Sequence, residues 1–341
     1  MAPAKPHPTV VRRPTSAAPT ATVHRRPTSA TPSRPPSDGF TVPIDGSSYP
    51  LSLVARGEEP RDSSVKFMGG AMVIVLIAAY GVVVWLVNTG IVGLGFLVEG
   101  RPSAWGDYVG LAQSFGTVWG VVGAHLGLAS LIVVVWSLFR LVHHRRLTWA
   151  WSIWPGVRWR YAVLCLAVSL LVIGGFGLYH WFGSDGWQPI GHWGWYLGVI
   201  LVTTPLQAIA EEVVFRGYLM QVLGSVVRQV WFPIVTTAVI FALFHGTQNL
   251  WLFGSRLIFG LLAGLLVWRT GGLEAGIAIH IVNNWVAFGL AIVTGTLTDV
   301  RTTTAVGWSA ALGDVMMFVA CAVPCWLIGL ALRLPTRAKT A

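Results

Sequence analysis

Residues 193–218 read WGWYLGVILVTTPLQAIAEEVVFRGY, an apolar run that meets no charged residue until Glu211, Glu212 and Arg216. About 20 mostly apolar residues suffice for a helix to cross a hydrocarbon core of roughly 30 Å, and this run is long enough. A charge near the middle of such a helix costs roughly 2.5–3.5 kcal/mol on insertion scales, so it is kept where it faces a bundle interior and serves a function. The stretch therefore reads as a membrane helix carrying part of a buried polar site.

The rest of the chain agrees. Of 341 residues, 54% are hydrophobic and 11% charged, far from the balance of a soluble domain. The predicted fold is an all-α, polytopic membrane bundle of about eight transmembrane helices, near residues 67–92, 115–140, 160–182, 193–218, 230–247, 250–269, 272–295 and 312–333. Between the fifth and sixth, His245, Gly246, Gln248 and Asn249 leave only a brief polar break. Twenty of the 23 Lys and Arg residues fall in the N-terminal tail and at alternate helix ends. Positive loops stay in the cytoplasm, so both termini are expected there. Trp149, Trp151, Trp154 and Trp159 beside one loop, and Trp181, Trp187, Trp193 and Trp195 beside the next, suit membrane interfaces.

Four regions follow. Residues 1–66 form a basic, Pro/Ser/Thr-rich tail and lead-in, expected to be disordered to about residue 38, with a near-repeat Arg-Arg-Pro-Thr-Ser-Ala at 12–17 and 25–30. Residues 67–147 hold two leading helices, 160–333 the polar-site core, and 334–341 a short basic tail. No short apolar segment follows the early basic pairs, so they do not form a signal peptide. The net charge of +10 is not gathered on a folded soluble module, which argues against a nucleic-acid partner. Cys165, Cys321 and Cys325 all lie in apolar blocks and read as small hydrophobic residues.

The intramembrane polar residues concentrate on consecutive helices of the second half of the chain, with Glu211, Glu212, Arg216, His245, Arg256, His280, Asn283 and Asn284. Glu212 and Arg216 stand four apart and share a helix face, as do His280 with Asn284 and Phe241 with His245. Glu211 points about 100° away from Glu212 and is free for another partner. Arg256 reads as a snorkelling or pairing residue. A carboxylate facing imidazoles and an amide in a low-dielectric bundle is a water-activating arrangement. The same residue types also build transporter pathways, though no repeated halves are visible, and a catalytically silent immunity or scaffold protein is a further alternative.

These motifs resemble those of the CPBP family, the Abi-type intramembrane proteases that include type II CAAX-prenyl endopeptidases and bacteriocin-processing proteins. Glu211-Glu212-Val213-Val214-Phe215-Arg216 matches Glu-Glu-x-x-x-Arg, Phe241 to His245 matches Phe-x-x-x-His, and His280 to Asn284 matches His-x-x-x-Asn. The resemblance covers roughly residues 160–333 and implies an endopeptidase cutting a membrane-associated or CAAX-like protein or peptide. It casts Glu211 as the general base, with His245 helping to hold the water. His280 and Asn284 complete the water site and support the oxyanion, and Glu212 and Arg216 support them. The family is described both as metalloproteases and as glutamate proteases. His-Glu-x-x-His is absent, which favours the metal-free route; a zinc alternative would use Glu211, His245 and His280. Membrane lipid and a peptide substrate are the implied partners, and the resemblance with the composition points to a bacterial plasma membrane. Convergence of His245 with the other residues requires a helix that starts near Pro233 and is short or begins deep.

Overall fold

The computed structural model describes residues 39–55, 62–154, 156–184 and 186–339. The chain divides into units 1–34 and 35–341. The first unit, and with it the tail expected to be disordered to residue 38, lies outside the described residues.

The described elements are helical: α1 (Ser63–Val98), α2 (Trp105–Gln113), α3 (Val118–Val142), α4 (Trp159–Phe182), α5 (Trp193–Val226), α6 (Trp231–Leu243), α7 (Leu250–Thr270), α8 (Glu274–Val293) and α9 (Trp308–Ala331), with a few single turns. Local sequence sets several starts. Asp62 accepts the Ser64 amide at 2.9 Å, Thr117 accepts Gly120 at 3.0 Å, and Asn249 accepts Leu252 at 3.0 Å, each satisfying a donor that a helix start leaves open.

Seven helices are long and apolar enough to cross a membrane. Of the eight expected spans the exception is α6, expected over 230–247 but 13 residues long, about 20 Å at 1.5 Å per residue. It stops because Gly246 turns with φ +80° and the Gln248 amide bonds back to the Ala242 carbonyl. The connection 244–249 continues to the far end of the bundle, where Asn249 N bonds Thr304 O at 2.7 Å. Near the other end, Gly46 N donates to Ala338 O and Ala338 N to Ser47 O, both at 2.9 Å. Residues 46–47 and 338 thus meet.

α5 is the central element. Every residue from Ala210 to Ser225 is buried, as expected of a helix enclosed on all sides, and α1, α3, α6, α7 and α8 pack against it. The helix is α through Glu212, then π over Val213–Leu219. π segments are rare and recur at functional sites.

The lead-in, expected as a polar approach to α1, docks against the same end as residue 338. Ser52 Oγ donates to Gln221 Oε1 at 3.0 Å, Gln221 Nε2 donates to Trp149 O at 3.1 Å, and Arg145 reaches Ser52 O. A Cβ on Gly224 would lie 1.8 Å from Pro50 O, so only glycine permits this approach. Arg158 clasps Glu274 through Nε at 2.8 Å and Nη2 at 2.5 Å, a pair the sequence reading passed over.

His143, just beyond α3, bonds Tyr218 Oη at 3.0 Å. Burial, then the Arg145 and His144 charges, pushes its pKa down to about 4, below the ordinary value of about 6.5. Between those values the unfolded chain binds the proton and the folded one does not, so stability rises with pH across that window and levels off above it. Thermal unfolding in detergent at pH 7.5 and pH 5 is expected to show a lower Tm at pH 5, with a smaller loss in His143→Gln.

Candidate active site

Glu211 and Glu212 sit at the junction where α5 changes from α to π, facing His280 on α8. The His280 ring spans both carboxylates: Nδ1 lies 2.9 Å from Glu212 Oε1, and Nε2 lies 3.3 Å from Glu211 Oε2. Arg216 Nη1 donates to that same Glu212 Oε1 at 2.9 Å. Glu212 is therefore the acceptor in both bonds, which places a proton on His280 Nδ1 and turns Nε2 toward Glu211. Glu211 Oε2 makes no hydrogen bond among the described residues. One proton between Nε2 and Oε2 is enough to make an acid–base pair of them, since each is an acceptor without it.

Glu212 and Arg216 are both 0% exposed. Burying an ion costs several kcal/mol, and the pair holds only where geometry and further contacts answer that cost. Here the guanidinium lies over Phe241 at 4.3 Å, with Phe259 at 5.6 Å and Phe215 at 6.0 Å from its carbon, cation–π contacts that strengthen on desolvation. Two glycines make room. A Cβ on Gly276 would stand 3.2 Å from Glu212 Oε2, and one on Gly260 would stand 3.3 Å from Arg216 Nη2 and 2.9 Å from the Ala238 backbone.

Asn284 lies one turn beyond His280, and its Nδ2 donates to Gln207 Oε1 at 3.0 Å, while Asn283 Nδ2 donates to Asn284 Oδ1 at 3.1 Å. His245 is placed differently. Its Nδ1 bonds the Phe241 carbonyl at 2.8 Å, its ring packs on Phe241 at 4.7 Å, and the residue is exposed. Phe241 also meets His280 edge-on at 6.1 Å. His245 thus shares a neighbour with His280, but among the described residues no hydrogen bond or ion pair joins it to either glutamate. Arg256 bonds Gln248 Oε1 at 2.7 Å and so acts as a pairing residue of the α6–α7 connection.

The structure therefore brings Glu211, Glu212, Arg216 and His280 into direct contact, attaches Asn284 to α5 through Gln207, and sets His245 at the edge. Among the described residues no three His, Cys, Asp or Glu side chains are grouped to hold a metal ion. Zinc needs its ligand atoms about 2 Å from one point, and the set Glu211, His245 and His280 does not fit that demand in this arrangement. Gln207, Gly260 and Gly276 escaped the sequence reading. A glutamine one turn before Glu211 was the one available signal, whereas the glycines matter through helices distant in sequence.

Arg216→Met leaves Glu212 buried and unpaired, with an expected loss of about 3–5 kcal/mol. Adding Glu212→Gln removes the stranded charge, so the double variant should melt above Arg216→Met alone in detergent.

Comparison with known proteins adds to this geometry. Residues 192–286 match the family model described as Rce1-like, type II CAAX prenyl endopeptidase Rce1-like, a span holding all six motif residues. The uncharacterized protein YyaK of Bacillus subtilis (strain 168) is 28% identical over 96 residues, covering 26% of this chain and 32% of that protein. The chain thus spans about a third of the length of the curated relative it matches. No solved structure matches it. The stretch that bears Glu211, Glu212, Arg216, His245, His280 and Asn284 in this integral membrane protein is thus similar to the Rce1-like type II CAAX prenyl endopeptidases.

Proposed function

We propose that this protein is an intramembrane endopeptidase that hydrolyses a peptide bond of a membrane-associated or CAAX-like protein or peptide by glutamate-activated water. The observation carrying the reading is the buried Glu211 Oε2, free of hydrogen bonds and 3.3 Å from His280 Nε2, while the other nitrogen of that ring is tied to Glu212. A base needs such a free oxygen, an oriented partner and a dry setting.

In this reaction Glu211 takes a proton from water as the water oxygen attacks the scissile carbonyl carbon. The carbonyl π bond opens to an oxyanion, toward which Asn284 Nδ2 directs its second hydrogen. The intermediate collapses by breaking the C–N bond, and the proton held between Glu211 and His280 passes to the leaving nitrogen. Glu212 and Arg216 keep the His280 ring in the needed tautomer and orientation. His245, at the exposed end of α6, belongs to the side from which the peptide arrives and helps to hold the water as the chain settles. The route uses no metal. In this reading residues 46–48 and 337–338 lie on the cytoplasmic face of a bacterial plasma membrane, an orientation that the basic loop ends support.

The test is cleavage of prenylated and unmodified C-terminal peptides by purified protein in lipid nanodiscs, with metal content measured on the same sample. Glu211→Gln and His280→Ala should each lower kcat about 10²–10⁴-fold with a folded protein. Cleavage unchanged in both variants would reject the site, and stoichiometric zinc whose removal abolishes activity would reject the metal-free route.

A further inference from the structure

Arg256 belongs to none of the three motifs, yet it puts a charge inside an apolar helix. It is the seventh residue of α7 and is half-buried. Among the described residues its guanidinium makes one hydrogen bond, from Nη1 to Gln248 Oε1 at 2.7 Å. That partner is an amide and carries no charge. Glu211, Glu212 and Glu274 pair with His280, Arg216 and Arg158, and no carboxylate of the described residues stands within ion-pair distance of Arg256. An uncompensated cation in a membrane helix is costly and points to a function.

The placement of Arg256 ties it to the site. It stands three residues before Phe259 and four before Gly260, so the three share one face of α7. Phe259 packs on the His280 ring at 5.2 Å, and a Cβ on Gly260 would stand 3.3 Å from Arg216 Nη2. Arg256 extends that face by one turn, about 5–6 Å along the axis. Gln248 holds it from a second side, because its Nε2 donates to the carbonyl of Ala242, next to Phe241, at 2.5 Å. Both ends of the Gln248 amide are thus engaged, and the guanidinium is fixed in direction with its other N–H groups open. Such a planar fork suits a carboxylate, which it meets with two parallel bonds.

We propose that Arg256 is a specificity-determining residue that binds the C-terminal carboxylate of the peptide substrate. The inference rests on the endopeptidase reading above and narrows it to bonds close to a free C-terminus. Direction and length agree with it. α7 ends at Gly271 against Pro335 and Thr336, beside the residues that the reading above puts on the cytoplasmic face, and Arg256 lies further from that end than Gly260 does. A chain entering from there with its C-terminus leading passes the glutamates before its last residue reaches Arg256. Two or three extended residues span about 7–10 Å, enough to cover one helical turn when the scissile carbonyl sits at Glu211. Bound there, carboxylate and guanidinium neutralise each other in a setting where either charge alone is costly. An internal segment of a membrane-spanning chain offers no such group.

The experiment offers prenylated and unmodified C-terminal peptides, each as the free acid and as the carboxamide, to the full chain in lipid nanodiscs. The readout is the ratio of kcat/KM for acid over carboxamide within one protein, in which a general loss of activity or of folded protein cancels. Wild type should prefer the acid about 10–100-fold, the scale of a hydrogen bond to a charged group, and chiefly through KM. Arg256→Gln should bring the ratio to within about twofold of one. Arg256→Lys keeps the charge without the fork and should fall between the two. A packing role, or snorkelling of the side chain toward lipid phosphates, would slow both peptides alike and leave the wild-type ratio in place. A ratio near one in wild type, or an unchanged ratio in Arg256→Gln, overturns the assignment, and the first of these needs no variant to fold. If wild type cleaves neither peptide, the endopeptidase reading fails. Fluorescence anisotropy with the labelled acid and carboxamide then still decides the role of Arg256, since equal binding of the two by wild type overturns it and tighter binding of the acid that Arg256→Gln abolishes supports it.

Discussion

The structure of the site depends on one constraint, that the Glu212 carboxylate lies where water cannot reach it. Two donors meet it on a single oxygen, Arg216 Nη1 and His280 Nδ1, each at 2.9 Å. Replacing a buried ion pair by apolar residues is often neutral or stabilising, so stability alone gives little reason for this one. What the pair accomplishes is orientation. With Glu212 fixed by Arg216, the His280 ring has one tautomer and one facing, and its second nitrogen is delivered to Glu211. The neighbouring helices answer to that demand: Phe241 and Phe259 supply ring faces to the guanidinium, and Gly260 and Gly276 supply the space.

The order of these residues on α5 gives the two glutamates separate tasks. Adjacent positions on a helix point about 100° apart, so one carboxylate turns to Arg216 while the other keeps an oxygen free beside His280. The π segment begins at Val213, directly after them. It widens the turn that carries Arg216, and the guanidinium still returns to Glu212 at four residues' distance. A π segment at this point fits a helix whose local geometry serves the site as well as the fold.

Much of this was legible in the sequence because it rests on spacing within one helix. Glu212 with Arg216 and His280 with Asn284 are pairs at i and i+4, and long apolar blocks announce the membrane without further help. What escaped depends on contacts between elements. Arg158 with Glu274, the cap of residues 39–55, and the two glycines beside the ion pair join positions far apart in the chain, which no periodicity reports. α6 is shorter than the sequence predicts because apolar character continues through Leu243 and Phe244, whereas its end is decided by the backbone of Gly246 and by a single side-chain amide, Gln248.

That early end also decides what surrounds His245. At one end of the bundle the docked lead-in covers the last turns of α5, where Ser52 holds Gln221 and Pro50 presses on Gly224. On the side of α6 the five residues Leu243 to Thr247 are exposed, with His245 among them. Irregular backbone at membrane depth persists where it is enclosed by protein or meets water, and this segment is not enclosed by the chain. Phe241 bridges from it inward, touching His245 at 4.7 Å and His280 at 6.1 Å. The early end of α6 therefore leaves His245 exposed although the helix is short, with the Phe241 ring between it and the imidazole that faces both glutamates.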